Sequence, residues 1–589
     1  MSSLELGVIG NGTIAALVDE RAVVNWLCLP RLDGDPVFNA LLGGEGRFAV
    51  TLRDCTASRQ TYRRNTAVLE TVLEAADGSA IKITDFAPRF LDRGRRFRPQ
   101  SIVRIVEPLR GLPHVTVSIR AQSEHGARTM AVRRGVSHIR YVDPEAGFRV
   151  TTDAPVAFVV SEREFVLDRA ISFILGPDES LSDAVGVMAQ DWLKRTNDAW
   201  RDWARRLATP PEWQAAVIRA AITLKMCVYE ETGGIVAALT TSIPEHAGSE
   251  RNWDYRFCWL RDAYFTVTAL NRLSAVGTLE GYLGYLRNTV ALTRGGHVNP
   301  VYGIALEEDL AEEVPGHLPG YRGMGPVRFG NQAAEHVQHD VYGHIILGAG
   351  QAFFDDRLHA LAGPLEFEHF EQVGERAYQV YNTPDAGIWE YRGRASVHTS
   401  SAMMCWAACD RLARIAARVG RDDRTALWRT RADDIRQVIL DAAWNEKRQA
   451  FTGAFGGEAL DASVLLMAEI GFVPPSDPRF VATLERIDAE LRDGAHVFRY
   501  RAADDFGEPQ TAFTACTFWH IDALARVGRH DEARAMFEDV LSRRTRLGLL
   551  SEDVDPKTGE LWGNFPQTYS MVGIINAAAR LSRSWEETV

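Results

Sequence analysis

The chain has 589 residues, which is too long for one ordinary hydrophobic core and predicts at least two large domains. Its composition is that of a globular protein, since 46% of the residues are hydrophobic and 24% are charged. The formal net charge is -12, and the Lys and Arg residues are scattered without any basic run interleaved with aromatic residues. We therefore expect no nucleic-acid partner.

Two features of the sequence predict a reduced, cytoplasmic protein without a membrane segment. The first residues lack the basic stretch of a signal peptide, and the apolar stretch over residues 6–18 is interrupted by Gly10, Asn11 and Gly12. No window reaches the roughly 18 apolar residues that span a bilayer. The cysteines are odd in number and mostly lie inside apolar runs. Cys405 and Cys409 have helical spacing and are interpreted as small core residues.

The first part of the chain alternates short β-rich runs with turn signals, which is typical of a β-sandwich. The runs cover residues 49–52, 67–73, 81–84, 101–106, 114–119 and 156–160. Between residues 183 and 207 the hydrophobic period changes to about 3.6 residues, which predicts a connecting helix. We therefore predict a β-sandwich domain over residues 1–180 and a helical linker over residues 181–210.

After residue 211 the hydrophobic pattern is helical almost throughout. Helical segments are predicted with centres near residues 221, 268, 286, 341, 374, 408, 431, 464, 484, 518, 537 and 575. Twelve helices in one domain indicate six hairpins closed into an (α/α)6 barrel over residues 211–589. An open solenoid would need a repeat of fixed period, which the sequence lacks. Loops of such a barrel gather at one end, so we expect the chemistry in loops and at helix starts.

The densest group of polar and aromatic residues is the run from Arg251 to Asp262, which holds three arginines, two aspartates, two tryptophans and a tyrosine. Neutral sugars are bound by aromatic rings that stack on the sugar face and by charged groups that bond to adjacent hydroxyls. The run supplies both ingredients. A surface ion-pair cluster packed on tryptophan would have the same composition, so the run alone does not decide between the two.

Two further segments each carry a glutamate in a setting suited to acid–base chemistry. Glu390 lies between Trp389 and Tyr391, and a carboxyl group kept dry by aromatic rings holds its proton firmly enough to act as a donor. Glu552 ends an apolar run and has hydroxyl and acidic neighbours. In such a polar setting a carboxylate stays ionised and activates water. Taken singly, either segment is equally compatible with an ordinary loop.

In this order, and after a β-rich N-terminal region, the three segments resemble the bacterial branch of the glucoamylase, glucodextranase and trehalase family of inverting glycoside hydrolases, family 15. The resemblance covers essentially the whole chain, and residues 6–13 and 26–33 are similar to the trehalase-like N-terminal domain attached to these enzymes. Further similar stretches are residues 234–238, 317–322, 326–331 and 338–340. The resemblance implies that Glu390 is the general acid and Glu552 the general base.

The resemblance also implies a set of substrate-binding residues. They are Tyr255, Trp259, Arg261, Asp262, Arg322, Arg328, Trp389 and Tyr569. The first four match residues that hold and wall the terminal glucose, the two later arginines lie in loops expected at the mouth, and the last two are expected beside the acid and in the pocket. The chain departs from many relatives at Ala402, where they have lysine, and at Met571, where they have histidine. These departures leave the exact substrate open.

The implied activity is that of an exo-acting α-glucosidase, which hydrolyses terminal α-linked glucose of maltodextrins by one displacement and releases β-glucose. Trehalase is the alternative within the family, because the subsite for the second sugar depends on loop geometry. A non-catalytic sugar-binding protein and a phosphorylase are the alternatives of another kind. The first would be expected to lack a carboxylate, and the second would depend on phosphate. No cofactor is expected, and a homo-oligomer is possible on this fold.

Two groups of residues invite a metal interpretation that we do not adopt. His336 and His339 have i, i+3 spacing next to Asp340, and residues 552–555 form an acidic loop. A metal site needs a third and a fourth ligand, which the sequence does not place. Paired histidines on a helix more often serve packing and hydrogen bonding. We therefore expect no metal.

Overall fold

The computed structural model describes residues 3–293, 296–358 and 364–588, and its N-terminal part is built from strands. In chain order the strands of this part are β1 (Leu6–Gly10), β2 (Ala15–Asp19), β3 (Val24–Leu29), β4 (Asp35–Phe38), β5 (Arg47–Leu52), β6 (Cys55–Tyr62), β7 (Leu69–Ala75), β8 (Ala80–Phe86), β9 (Phe90–Asp92), β10 (Arg95–Phe97), β11 (Ile102–Arg110), β12 (His114–Arg120), β13 (Gln122–Ser123), β14 (Arg128–Thr129), β15 (Ala131–Arg134), β16 (His138–Val142), β17 (Phe148–Thr152), β18 (Phe165–Val166) and β19 (Ile171–Gly176).

These strands form two main antiparallel sheets that share a core. One sheet has the order β1-β2-β3-β5-β12-β18 with β4 paired to β3, and the other has the order β15-β16-β17-β19-β11-β8-β7-β6. Val50 and Val117 of the first sheet and Ile83 and Phe173 of the second belong to one buried apolar cluster. Side chains alternate between the two faces of a strand, so each sheet can give one face to this core. The predicted β-sandwich is confirmed.

One predicted strand is wrong, because residues 156–160 form helix α1 (Val156–Val160). Val156 and Val159 are buried, which is the spacing of one helical face. The backbone N–H groups of Phe158 and Val159 both donate to the carbonyl of Pro155. The strand signal came from β-branched and aromatic residues, whose preference for strands is weaker than the packing around them.

Within the described ranges, helix α2 (Val185–Arg205) leads from the sandwich to twelve further helices and a short terminal one. They are α3 (Gln214–Met226), α4 (Leu260–Arg272), α5 (Val276–Thr293), α6 (Asp340–Gly350), α7 (Pro364–Val380), α8 (Thr399–Arg418), α9 (Asp422–Ala442), α10 (Leu466–Glu469), α11 (Pro478–Glu490), α12 (Thr514–Arg526), α13 (His530–Ser542), α14 (Thr568–Leu581) and α15 (Trp585–Thr588). Every predicted helix centre lies in one of these helices, except residue 464, which lies in the 3-10 turn Ala462–Leu465 before α10. The domain limits at residues 180 and 210 remain predictions.

Alternate helices form an inner ring that closes on itself. Helices α4, α6, α8, α10 with its preceding turn, α12 and α14 pack against one another in this order, and α14 returns to α4. All residues of the inner helix α6 are buried, whereas the outer helix α11 buries a single stripe that includes Phe480, Leu484 and Ile487. The other helices between α3 and α13 form the outer layer. This arrangement is the predicted (α/α)6 barrel.

The connectivity of the barrel gathers one set of loops where the inner helices begin. Each inner helix follows an outer helix, so the loops that lead inward all lie at the N-terminal ends of the inner helices. Short strands brace these and neighbouring loops. They are β20 (Cys258–Trp259), β21 (Val301–Tyr302), β22 (Trp444–Asn445), β23 (Ala450–Phe451), β24 (Arg492–Asp493), β25 (His496–Val497), β26 (Ala512–Phe513), β27 (Asp553–Val554) and β28 (Leu561–Trp562).

The sandwich and the barrel share part of one hydrophobic core. Leu6 of β1 and Trp26 of β3 belong to the same buried cluster as the inner helices. The Nε1 of Trp26 donates to the carbonyl of Leu239 at 2.8 Å. The guanidinium of Arg256 donates to the carbonyl of Gly34 at 2.7 Å. The first sheet is therefore fixed to the segment that carries the dense polar run.

The cysteines are core residues rather than ligands or disulfide partners. All seven are free thiols and six of them are buried. The thiol of Cys405 donates to the carbonyl of His339 at 3.3 Å inside the barrel. In the part of the chain that the structure describes, no helix has both the length and the apolar character needed to cross a membrane.

Candidate active site

A pocket opens at the N-terminal ends of the inner helices. Its empty volume, including the mouth, is about 870 Å³, which is within the range of small-molecule sites. Helix N-termini carry unpaired N–H groups and the positive end of the helix dipole, so this end of the barrel suits oxygen-rich ligands. The predicted site residues among its lining are Tyr255, Trp259, Arg261, Asp262, Trp389, Glu390 and Tyr569.

Glu390 lies in the loop between α7 and α8 with its backbone in the left-handed region. Its φ is 61°, which costs energy for a residue with a Cβ and persists only where the surrounding structure imposes it. The Oε1 atom accepts hydrogen bonds from Trp259 Nε1 at 2.6 Å and from Arg261 Nη2 at 3.3 Å. Among the described residues, no donor bonds to its Oε2. The carboxyl group is thus held by one oxygen and presents the other at the pocket.

Glu552 is buried in the loop between α13 and α14 and is not among the residues that line the pocket. Its Oε1 accepts a hydrogen bond at 2.7 Å from the hydroxyl of Tyr255, which does line the pocket. Its Oε2 is buried and has no partner in the described part of the chain. Gly563 packs against it with a φ of 74°, and an added Cβ would lie 2.6 Å from the Glu552 Cβ. Only glycine fits beside this carboxylate.

The polar groups around Glu552 are buried with it. Burial, aided by the nearby carboxylate of Glu245, raises the pKa of Glu552 to about 8, against the opposing effects of the Tyr255 hydrogen bond and of Arg499. The pKa of Asp553 also lies well above its usual range, mainly because of burial. Residues 551–554 are therefore not an exposed acidic turn. The acidic run continues into the buried strand β27.

Two adjacent aromatic residues join the predicted acid to the predicted base. Trp259 bonds to Glu390, Tyr255 bonds to Glu552, and the two rings pack edge to face with centroids 5.4 Å apart. Burial raises the pKa of Tyr255 well above its usual value, and the charges of Glu552, Glu245 and Glu390 raise it further. The charges of both carboxylates therefore raise the pKa of the Tyr255 hydroxyl at the pocket wall.

Arg261 and Asp262 occupy the first turn of α4 at the pocket floor. The Arg261 Nε lies 3.4 Å from the Asp262 Oδ2, and its Nη1 lies 3.8 Å from the Oδ2 of Asp340. Burial raises the pKa of Asp262 to about 6, with Arg261 opposing and Glu390 adding to the shift. The Asp262 Oδ2 has no hydrogen-bond donor among the described residues. A buried carboxylate oxygen in this state is ready to accept a bond from a ligand hydroxyl.

Trp389 is held in place by Asp461, which caps the 3-10 turn before α10. Its Nε1 donates to the Oδ2 of Asp461 at 2.7 Å, while the Oδ1 of Asp461 accepts from the backbone N–H of Ser463 at 2.8 Å. The indole packs on Phe513 and Trp519 with centroids 5.6 and 6.0 Å away. The position of this ring beside Glu390 is therefore fixed from several sides.

Arg322 and Arg328 are not among the residues that line the pocket. The Nη1 of Arg322 lies 2.7 Å from Glu560, and the Nη1 of Arg328 lies 2.6 Å from Glu312. The guanidinium of Arg328 also lies 5.3 Å above the ring of Trp253, a lining residue. Substrate binding by these two arginines remains a prediction, since each is engaged by a carboxylate that does not line the pocket.

Several lining residues were not singled out from the sequence as site residues. They are Glu245, Trp253, Arg392, Arg499, Asp505, Phe506 and Trp519. Glu245 is buried, forms an ion pair with Arg499 and lies 3.8 Å from the guanidinium of Arg251. Only Trp253 lies within the dense run of residues 251–262. Arg499, Asp505 and Phe506 share the loop between β25 and β26, and the other three lie in separate elements, where no local pattern distinguishes them.

The mouth of the pocket is formed by an aromatic pair supported by charged groups. Trp253 packs edge to face on Phe506 with centroids 5.1 Å apart, and the guanidinium of Arg392 lies 4.3 Å above the Trp253 ring. The Oδ2 of Asp505 accepts from the backbone N–H groups of Arg392 and Gly393 at 2.9 and 3.0 Å. Phe506 is 37% exposed, whereas Trp259 and Tyr569 are buried. The pocket therefore has a buried floor, which includes Trp259 and Tyr569, and a solvent-exposed mouth at Phe506.

The two histidines considered as metal ligands have separate roles. His336 lines the pocket, while the backbone N–H of His339 donates to the Oδ2 of Asp385 at 2.8 Å. Over residues 3–293, 296–358 and 364–588, no three His, Cys, Asp or Glu side chains are arranged to hold a metal ion.

Comparison with known proteins finds relatives of both parts of the chain. The family "Glycosyl hydrolases family 15" matches residues 212–579, and the family "Trehalase-like, N-terminal" matches residues 4–157. A trehalase of Thermoplasma volcanium is 30% identical over 98% of this chain and 93% of its own length. A trehalase of Mycobacterium tuberculosis is 31% identical over 97% of this chain and 88% of its own length. A bacterial glucoamylase solved in complex with acarbose has a TM-score of 0.68 at 12% identity and covers 98% of this chain and 94% of its own.

Proposed function

The chain belongs to glycosyl hydrolase family 15 and is a glycoside hydrolase, and we propose that its substrate is trehalose. The sequence favoured a glucoamylase-like enzyme acting on maltodextrins, with trehalase as the alternative. The observation that reverses this order is that the relatives from Thermoplasma volcanium and Mycobacterium tuberculosis, which match nearly the whole chain, are trehalases. The likeness to glucoamylase, at 12% identity, supports the fold alone.

In the proposed reaction Glu390 protonates the oxygen between the two glucose units, and Glu552 removes a proton from a water molecule on the opposite face of the ring. The water attacks the anomeric carbon as the glycosidic bond breaks, so a single displacement inverts that centre. Trehalose would then give one β-glucose and one α-glucose. An inverting enzyme needs room for the water, so the two carboxyl groups are expected about 6.5 to 9.5 Å apart.

The hydrogen bonds of the two carboxyl groups leave one oxygen of each free for its proposed role. Each group uses its Oε1 to accept a bond from the protein, from Trp259 and Arg261 at Glu390 and from Tyr255 at Glu552. The Oε2 of Glu390 is then the atom that carries the proton for the leaving oxygen. The Oε2 of Glu552 is the atom that accepts the proton of the water.

The division of the pocket into floor and mouth fits a disaccharide. The terminal glucose would lie on the floor against Arg261 and Asp262, with the glycosidic oxygen near Glu390. The leaving glucose would then lie at the mouth against Trp253 and Phe506, whose ring faces suit the apolar face of a sugar. Polar groups beside Trp253 and Phe506 can form hydrogen bonds with the hydroxyls of the leaving glucose.

A substrate panel followed by NMR tests the proposal, because it reports the linkage that is cleaved, the products and the anomers together. We expect kcat/KM for trehalose to exceed that for maltotriose by at least about tenfold, with β-glucose and α-glucose appearing in equal initial amounts. A preference for maltotriose would identify a glucoamylase-type enzyme instead. A sugar phosphate formed only in the presence of phosphate would identify a phosphorylase, and binding without turnover would identify a sugar-binding protein.

A further inference from the structure

A cleft rich in arginine lies between the hairpin β9–β10 and helix α2. Its arginines are Arg89, Arg96, Arg98, Arg195 and Arg206. Two acidic residues, Asp198 and Asp202, also line it. This arginine cleft shares no lining residue with the catalytic pocket, and the proposed reaction makes no use of it.

A carboxylate with a buried side chain, Glu230, forms ion pairs with several cations beside the arginine cleft. Glu230 lies 2.6 Å from Arg89, 3.3 Å from Arg96, 3.4 Å from Arg98 and 2.5 Å from Lys225. Although burial opposes it, Arg89 and Lys225 hold the pKa of Glu230 well below its usual range, so this residue stays negative. Four cations share this carboxylate, with Glu231 as a further acidic neighbour of Arg98, so the β9–β10 side of the cleft keeps an excess of positive charge.

Three cationic groups in and beside the cleft, Arg98, Arg206 and Lys225, illustrate this excess of positive charge. The Nε of Arg98 is buried without a hydrogen-bond partner among the described residues. The exposed Arg206, which caps α2, forms no ion pair within the described ranges. Burial lowers the pKa of Lys225 to about 8, and the charges of Arg89 and Arg96 add to this lowering while Glu230 opposes it. In contrast, Arg195 is paired with Asp92 at 2.8 Å.

The N-terminal motif of residues 6–13, which the catalytic reaction does not use, holds these arginines in place. The Nδ2 of Asn11 donates to the carbonyls of Pro88 and Pro99 at 3.1 and 2.7 Å. It thereby fixes both ends of the segment that carries Arg89, Arg96 and Arg98. Arg89 donates in return to the carbonyl of Asn11 at 2.8 Å. Guanidinium groups fixed in this way lose little freedom when they bind an anion.

We propose that the arginine cleft binds a phosphate group, carried either by inorganic phosphate or by a small phosphomonoester. Guanidinium groups match the geometry of phosphate oxygens and bind them by paired, charge-assisted hydrogen bonds. A multiply charged oxyanion also offsets the excess of positive charge better than chloride does. This binding site goes beyond the proposed hydrolysis and does not depend on it.

Isothermal titration calorimetry on the full chain tests the proposal, with inorganic phosphate, glucose 6-phosphate and sodium chloride as separate titrants at constant ionic strength. We expect saturable binding of a phosphate titrant and none of chloride. The double variant Arg96→Gln/Arg206→Gln removes two charges at the cleft and should weaken binding about tenfold or more. The matched variant Arg201→Gln/Arg205→Gln removes two exposed arginines of α2 that do not line the cleft and should bind like the wild type.

The titrations distinguish the two sources of phosphate. Tighter binding of glucose 6-phosphate than of inorganic phosphate would assign the cleft to a phosphomonoester, and the reverse would assign it to the free ion. The absence of saturable binding by either titrant would overturn the proposal. Equal binding by the two double variants would overturn it as well. Arg96 has a side chain that is 61% exposed and Arg206 is exposed, so both variants should melt like the wild type.

Discussion

Glu552 must ionise to act as a base, yet the protein buries it near a second carboxylate, Glu245. Burial and this neighbour raise the pKa of Glu552 to about 8. At lower pH the base of the empty enzyme is therefore protonated, and kcat/KM should rise as the pH rises through this region. This rise is the acidic limb of the pH profile, and it reports a macroscopic value for the interacting carboxyl groups.

Replacing Glu245 by Gln should move the acidic limb of kcat/KM on trehalose to lower pH. The amide keeps the size of the side chain and removes the negative charge that raises the pKa of Glu552. The measurement is the pH dependence of kcat/KM for both proteins. Glu250→Gln is the matched control, because Glu250 is an exposed residue of the same segment. An acidic limb that stays in place in Glu245→Gln would contradict the assignment of Glu552 as the group that titrates.

The same raised pKa predicts that Glu552→Gln is more stable than the wild type at alkaline pH. Glu552 has a pKa of about 8 in the folded protein against 4.5 as the ordinary value, so the unfolded chain gives up this proton at lower pH. Wild-type stability is therefore lost progressively between these two values and stays reduced above them. We expect Tm of Glu552→Gln to exceed that of the wild type above about pH 8, corresponding to roughly 2 to 4 kcal/mol.

Thermal melts across the pH range measure this difference. The gap between the two proteins should close below the ordinary pKa of glutamate, where both states of the wild type hold the proton. A Glu552→Gln protein that melts below the wild type at alkaline pH would show that the carboxylate stabilises the fold. Such a result would also remove the physical reason for placing the acidic limb near pH 8.

The separate roles proposed for the two glutamates predict a difference on α-glucosyl fluoride. Fluoride leaves with little protonation, so Glu390→Gln should retain far more activity on this substrate than on trehalose, where roughly 100- to 10,000-fold should be lost. Glu552→Gln should lose activity on both substrates, because neither reaction proceeds without an activated water. Initial rates of both variants on both substrates measure the difference. Equal losses of the two variants on the fluoride would disprove the division of roles.

At the residue scale, the site residues that could be predicted are those whose sequence neighbours are unusually rich in aromatic or charged residues. Glu390 lies between two aromatic residues, and Asp262 closes a run dense in charged and aromatic residues. Glu245 and Arg499 face Glu552 from separate loops, and neither has a neighbourhood that marks it. Their part in setting the charge of the base arises only from tertiary contact. For the same reason the burial of Glu552 and its raised pKa could not be predicted from the sequence.

Among the elements, the loop between β25 and β26 forms the outer wall of the pocket. Asp504 pairs with Arg251 across the mouth, and the carbonyl of Gly507 accepts from Arg251 at 2.7 Å. Asp505 accepts two backbone N–H groups of the loop that carries Glu390. These contacts hold Phe506 against Trp253. The loop therefore fixes the position proposed for the leaving glucose.

Phe506→Ala should weaken the binding of trehalose without affecting a substrate that has no second sugar. We expect KM for trehalose to rise about tenfold, since one aromatic contact with a sugar is removed, while kcat/KM for α-glucosyl fluoride stays unchanged. Phe354→Ala is the control, because Phe354 is an exposed phenylalanine that does not line the pocket. A parallel loss on both substrates would place Phe506 outside the subsite of the leaving sugar.

The elements themselves followed from the hydrophobic period, with two instructive exceptions. Residues 156–160 read as a strand because they are β-branched and aromatic, yet they form α1 after Pro155. The segment near residue 464 read as a full helix, but it consists of a 3-10 turn and the short α10. Loops carry no such period. The wall made by residues 498–511 and the positions of Arg322 and Arg328 therefore could not be predicted from sequence.

In the whole molecule, the β-sandwich is part of the support of the pocket. The hydrophobic cluster that fills the barrel extends to Trp26 in β3, and Trp26 bonds to the carbonyl of Leu239. Nearby, Ala237 lines the pocket and its carbonyl accepts from the backbone N–H of Thr568 at the start of α14. The sequence predicted two domains and a linker. It could not predict this shared core, because contacts across 213 positions leave no local pattern.

A shared core predicts that the sandwich and the barrel unfold together, and Trp26 is the residue that tests this coupling. Trp26→Ala removes a fully buried indole between the two parts and should destabilise the protein by roughly 3 to 5 kcal/mol. Trp26→Phe keeps most of the packing, loses the bond to Leu239 and should cost about 1 kcal/mol. Calorimetry should show one transition in each protein, shifted to lower temperature in the order of these losses, with activity lost in the same transition. Two separate transitions in the wild type, or a shift confined to a first transition that leaves activity intact, would show that the sandwich folds independently of the catalytic barrel.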